Sequence, residues 1–155
     1  MTIKEAQRIL AASGNSRADV NLRIAEFYKE MGKMDSTESY LKSVKAKSLR
    51  ELDKLRLARL LISSRNISQA EEVLALTNKK EEPYFTAEYF YTLAILDEAK
   101  SDKKGSIEKL EKAIAANPFQ LKAIIKLVDY YEKEGLKIKA EDLKSRLNQI
   151  KNMKI

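Results

Sequence analysis

Cysteine, histidine and tryptophan are all missing from this 155-residue chain. Without thiols there is no disulfide and no thiol redox chemistry, and a zinc site of the Cys/His type has no ligands. Without imidazole there is no histidine acid–base catalysis. Only four glycines and two prolines punctuate the sequence. Strand-rich folds need many more turns, so this scarcity points to long helices. The four glycines are scattered, which leaves no phosphate-cradling loop. No run of 18 apolar residues occurs, so no segment is expected to insert in a membrane. The first ten residues, MTIKEAQRIL, lack the apolar stretch of a secretory signal. An intact start at Met1 would place the chain in the cytoplasm; a start trimmed from a longer precursor would place it in the cell envelope or periplasm.

Hydrophobic residues make up 44% and charged residues 34%, a balance that folds and stays soluble. The formal charge is +7, with 22 lysines against 8 arginines. This excess suits an acidic partner; it suits equally a lysine-rich bacterial genome.

The positive signal is periodicity. An apolar residue followed by a small one recurs as Ile24-Ala25, Leu57-Ala58, Leu93-Ala94 and Leu127-Val128, at spacings of 33, 36 and 34. Tyr28, Leu61 and Tyr131 lie four residues beyond three of the apolar members. Twelve residues after each small position come Thr37, Ala70, Ser106 and Ala140, followed by Leu41, Leu74, Leu110 and Lys144. A period near 34 means one helix pair per repeat. The helices are expected over 2–12, 17–31, 36–46, 49–64, 67–78, 84–100, 103–116, 118–134 and 137–152. Capping boxes are read at Ser16 with Asp19, Asp35 with Glu38, Ser48 with Glu51 and Asn66 with Gln69. Asn117 before Pro118 reads as another helix start. Gly32 and Gly135 suit the left-handed residue that ends a helix.

These residues resemble the tetratricopeptide repeat family, in four copies over 18–50, 51–84, 87–120 and 121–154. Residues 1–15 form an N-terminal cap or partial repeat. The third copy carries the resemblance best, with Phe90, Leu93, Ala94, Ser106, Leu110, Ala113 and Pro118 at the family's motif positions; Asp97 departs from its tyrosine. In the last copy Lys144 and Asn152 depart. The resemblance implies an all-α fold over 1–155, a right-handed superhelix of stacked antiparallel helix pairs with about nine helices. Small residues let paired helices approach, and each pair needs its neighbour to cover its apolar face.

The family's usual function is protein–protein interaction, with the first helix of each pair lining a groove. The resemblance places Leu22, Leu55, Tyr91 and Ile125 along that groove. Beside them fall Arg23, Arg56 and Lys126, then Glu26, Arg59, Ile95 and Asp129, then Ile62 and Glu98. The groove is expected to be apolar around Leu55, Ile62, Tyr91 and Ile95, with Arg56 and Arg59 at its edge. Such a track suits an amphipathic helix or peptide of a partner protein with an acidic edge. The competing reading is that the apolar stripe packs one first helix against the next. Grooves of this family that clamp a chaperone's terminal carboxylate need basic residues where this chain has Leu22, Glu26, Arg56, Glu88 and Thr92, of which only Arg56 is basic.

Three further readings compete. Residues 42–59 carry seven basic and two acidic side chains, which suits nucleic acid; stacking aromatics are absent from them, and a base reader would need a polar residue where the apolar stripe runs. The stripe Leu136, Ala140, Leu143, Leu147, Ile150 and Met153 would serve either as a cap or as a homo-oligomer seam of a structural spacer. The aromatics Tyr84, Phe85, Tyr89, Phe90 and Tyr91 are either packing, with Phe90 innermost, or a binding hot spot. Adjacent carboxylates such as Glu71-Glu72 and Glu141-Asp142 point about 100° apart on a helix and make no acid–base pair. No catalytic, metal or cofactor site is read from the sequence.

Overall fold

The computed structural model describes residues 1–13, 17–79 and 81–153. Among them every regular element is helical. The chain divides into two compact units, Met1–Asn78 and Lys79–Ile155, where the sequence reading expects one domain over 1–155. The first unit contains α1 (Ile3–Ala12), α2 (Ala18–Glu30), α3 (Met34–Leu41), a 3₁₀ turn (Ala46–Ser48), α4 (Glu51–Ser63) and α5 (Ile67–Leu76). The second contains α6 (Pro83–Ala99), α7 (Lys103–Ala116), α8 (Leu121–Lys133) and α9 (Lys137–Lys151). Consecutive helices pack as pairs, α2 with α3, α4 with α5, α6 with α7 and α8 with α9.

The first helix of every pair stops in the same way. Gly32, Arg65, Ser101 and Gly135 all take left-handed backbone, with φ of 72°, 62°, 63° and 75°. The next amide reaches back across the last turn each time: Lys33 to the Tyr28 carbonyl at 2.9 Å, and Asn66 to Leu61, Asp102 to Asp97 and Leu136 to Tyr131 at 2.8 Å. The left-handed residue's own amide bonds three back, to Lys29, Ile62, Glu98 and Glu132. This is a Schellman stop, which satisfies the carbonyls that a helix end strands and turns the chain sharply into its second helix. It recurs at spacings of 33, 36 and 34, the spacings of the apolar–small pattern. The glycine signal shows it in the first and last copies only; Arg65 and Ser101 bear it without a glycine.

Small residues then set how closely each pair packs. Ala25, Ala58 and Ala94 are fully buried, as are Thr37, Ala70 and Ser106 on the second helices, and Ala140 is 1% exposed. In the first unit Ala6, Leu10, Val20 and Ile24 form a core against which Tyr28 and Tyr40 pack, their rings stacked at 5.5 Å. In the second, Leu110, Ile124, Leu127, Tyr131 and Leu143 close around Ala94, Ala113 and Ala123. Each large apolar side chain so buried is worth roughly 1.5–3 kcal/mol. α9 lays Ala140 and Leu143 into this core, with Leu147 and Ile150 packed at its edge, so most of its apolar stripe is spent inside its own unit.

Several expected boundaries move. The third helix, expected over 36–46, starts at Met34 and ends at Leu41; tight three-residue bonds from Ser43 to Tyr40 and Val44 to Leu41 unwind it, at residues that compete poorly for helix. Asp35 therefore lies in the first turn and caps nothing. Ser48 falls in the 3₁₀ turn, and α4 begins after Arg50 without a side-chain cap. Asn66 stands at the start of α5 but its side chain makes no capping bond. Ser16 lies outside the described residues. Asn117 and Pro118 form a turn, in which the Asn117 Oδ1 accepts from the Phe119 amide at 3.0 Å, and α8 starts three residues later than the proline suggests, capped by Gln120. The capping box that does form is Thr2 with Glu5. Pro83 takes the first turn of α6, where its missing amide costs nothing.

The left-handed stops at Arg65 and Ser101 carry strain that glycine would relieve. Arg65→Gly and Ser101→Gly should each stabilise the chain by about 0.5–1 kcal/mol, the left-handed penalty less the entropy glycine adds to the unfolded state. Gly32→Ala should cost a similar amount. Thermal unfolding of the single variants reads the difference as a shift of a few degrees.

Candidate partner-binding site

The structure sorts the expected groove residues into two classes. Leu22 and Leu55 are fully buried, and Ile62 and Tyr91 are 6% and 7% exposed. These four serve packing. Ile125 stands 54% exposed on α8, Ile95 packs at the edge of the second unit's core, and the charged members remain open or half-open to solvent.

Those charged members are joined between successive first helices. In the first unit, Arg56 on α4 donates to Glu26 on α2 at 2.7 Å, across 30 residues of sequence. Arg56 also donates to Asp53 at 2.8 Å, and Arg23 donates to the same Glu26 oxygen at 3.1 Å while its guanidinium sits 4.5 Å from the Phe27 ring. Burial works against the Arg56 charge, yet Glu26 and Asp53 outweigh it and raise its pKa. Arg59 lies half-buried on the same helix.

The second unit repeats the device. Glu98 on α6 accepts from Lys126 at 3.1 Å and from the Tyr130 hydroxyl at 2.7 Å, both on α8. Burial opposes ionisation of Glu98, but the Tyr130 and Lys126 bonds win and hold its carboxyl below the usual range. Asp129, one turn on, pairs with Lys133 at 2.8 Å. Gln120 donates to Glu88 at 2.6 Å, a third tie between α6 and α8. Burial, then the 2.6 Å bond to Glu111, pushes the Tyr131 hydroxyl well above the ordinary tyrosine value.

The basic segment 42–59 is broken up. Lys54 is buried on Glu51 at 2.9 Å, whose other oxygen accepts the Asn78 amide. Arg56 is committed to its carboxylates. Lys42, Lys45, Lys47 and Arg50 stay exposed between α3 and α4. Among the aromatics, Phe85 and Tyr91 are the buried pair, whereas Phe90, expected innermost, is only partly buried beneath the Lys112 ammonium; Tyr84 is 52% exposed. No group of three or more acidic side chains able to hold a metal occurs among the described residues, and none of their helices is long and apolar enough to cross a membrane.

Two crystal structures of MamA, a helical-repeat protein, resemble this chain. The likeness is one of fold. One has a TM-score of 0.63 at 18% identity, covering 96% of this chain and 86% of that one. The other has a TM-score of 0.61 at 17% identity, covering 99% and 86%. No family model matches the sequence, and no curated protein matches it.

Two measurements check the ion pairs. A double-mutant cycle of Glu26→Ala and Arg56→Ala should give a coupling of about 0.5–1 kcal/mol in urea unfolding, as for a half-exposed pair; additive effects would mean the two side chains do not meet. For Glu98, a depressed folded pKa adds stability above the unfolded value of ~4.3 and loses it as pH falls through the folded one. The advantage of the natural chain over Glu98→Gln should therefore be full at neutral pH and shrink below about pH 4.3.

Proposed function

We propose that this chain is a scaffold of four tetratricopeptide-type repeats that holds a peptide or helical segment of a partner protein on its first helices. Four identical helix stops at one register support the repeat reading. The likeness to a helical-repeat fold supports the scaffold. One observation carries the binding reading. Most of the track residues that keep contact with solvent are charged, and oppositely charged ones meet between successive first helices, Glu26 with Arg56 and Glu98 with Lys126.

In the first unit the track is Arg23, Glu26, Arg56 and Arg59; in the second it is Ile95, Glu98, Ile125, Lys126 and Asp129. Ile125 supplies an apolar anchor between two charges. A partner carrying an apolar side chain bracketed by complementary charges would exchange the existing ion pairs for its own, a trade that favours specificity over raw affinity. Self-association is the second reading, because Leu136 and Met153 at the two ends of α9 and Ile138 on it remain 43%, 54% and 81% exposed.

Site-specific photocrosslinking decides between them. A benzophenone side chain at position 125 should capture a partner protein in cells of the source organism, and Lys126→Glu with Asp129→Lys should abolish the capture. The same group at Ser145, on the outer side of α9, should not capture that partner. Capture from position 145 alone, or yield unchanged by charge reversal, would contradict the first-helix site. Capture of a second copy of the chain from position 138 would establish the spacer reading instead.

A further inference from the structure

A second surface is built by the early end of α3. That helix runs for 8 residues, against 10, 14 and 15 for the second helices α5, α7 and α9. The chain past Leu41 unwinds, and the 3₁₀ turn at Ala46–Ser48 lies against α2 and α5. A cleft of about 440 Å³ opens where the missing turns would run. This lies within the size of pockets that accept small ligands or single side chains.

The cleft is apolar at its base and lined by charges of both signs. Leu41, Leu57, Leu61 and Val73 line it from the buried side, with Val44 and Ala46 half-exposed above them. Lys42 and Glu38, four residues apart at the end of α3, line it together with Glu72 of α5. Lys45, Lys47 and Arg50 follow Lys42 along the loop, and residues 39–50 contain no acidic side chain. All four cations are exposed and none forms an ion pair among the described residues. Elsewhere in this unit Arg17, Arg23, Lys54 and Arg56 are each matched to a carboxylate. Residues 39–50 thus set four exposed cations and no acid next to an apolar recess.

We propose that this cleft binds a partner-protein segment that seats one bulky apolar side chain on Leu41, Leu57 and Val73 and turns acidic residues toward Lys42, Lys45, Lys47 and Arg50. Glu38 and Glu72 confine those acidic residues to the loop side, over Lys45, Lys47 and Arg50, where no acid occurs. The same carboxylates repel a phosphate backbone, and the cleft holds no aromatic on which a base could stack, so nucleic acid fits less well. The site shares α4 with the first-helix track but uses Leu57 and Leu61 where the track uses Arg56 and Arg59, so the two have no residue in common.

The test selects 12-residue peptides from a random displayed library on the full chain and measures the selected peptides by fluorescence anisotropy. A family of selected peptides should carry a bulky apolar residue next to aspartate or glutamate. Lys45→Glu with Lys47→Glu, a surface change checked for folding by circular dichroism, should weaken that family at least tenfold. Replacing the peptide's acids by amides, or its apolar residue by serine, should do the same, while Arg23→Glu leaves affinity unchanged. Amide shifts on titration should fall in 41–46, 57–61 and 69–73. The proposal is overturned if no selected peptide maps there, if the double lysine variant binds equally well, or if an acidic peptide lacking the apolar residue binds as tightly. It is overturned in favour of nucleic acid if a 12-nucleotide RNA binds these lysines more tightly with a steep salt dependence. Peptides that fail only on Arg23→Glu belong to the first-helix track and leave the cleft without its ligand.

Discussion

Each hairpin of this chain depends on one backbone event, the left-handed residue that ends its first helix. Position 32, 65, 101 or 135 reverses the local hand, and the following amide closes back on a carbonyl five residues earlier. Two stranded carbonyls are satisfied at once, and the chain is aimed into the second helix within two residues. That fixed exit lets a small residue on one helix face its counterpart on the other: Ala25 with Thr37 in the first pair and Ala58 with Ala70 in the second, all fully buried. Two of the four stops use arginine and serine in a conformation that disfavours any Cβ. Both side chains are exposed, and the paired backbone bonds of the stop close around them.

Close packing then decides which residues are left for function. Because the small positions draw the helices together, four large apolar side chains of the first helices are consumed: Leu22, Leu55, Ile62 and Tyr91 are interior. Charged residues that reach solvent there pair across helices, Glu26 with Arg56 and Glu98 with Lys126, and Ile125 stays exposed beside the second pair. These pairs are half-exposed and contribute little to stability. They set opposite charges side by side on successive first helices. An apolar recess appears where the rule is broken, at the short α3.

The sequence made the helices, their pairing and their register readable, because apolar and small residues at fixed spacing report burial directly. Gly32 and Gly135 were legible as stops; Arg65 and Ser101 were not, since their conformation is imposed by neighbours. The caps at Asp35 and Ser48 misled because a capping side chain needs the backbone to leave the helix at that residue, and tertiary packing moved the start elsewhere. Pro118 misled for a related reason: Asn117 folds its side chain onto the turn instead of the helix. At the site, repeat spacing aligns Arg56 with Arg23 and Glu26 with Arg59, so the meeting of Glu26 and Arg56, 30 residues apart and one turn out of register, does not follow from the columns. The burial of Leu22 and Tyr91 was not legible either, because a stripe that could face a ligand and a stripe that packs on a neighbour have the same periodicity. The cleft was invisible, since no glycine or proline marks the end of α3 at Leu41.

Native-state amide hydrogen exchange by NMR tests the recurring stop most directly. The amides of Lys33, Asn66, Asp102 and Leu136 lie just past helix ends, where exchange is ordinarily fast. If each closes back on its helix, all four should be protected to a degree comparable with the helices they terminate. Exchange at the rate of open loop amides at these four positions would contradict the account.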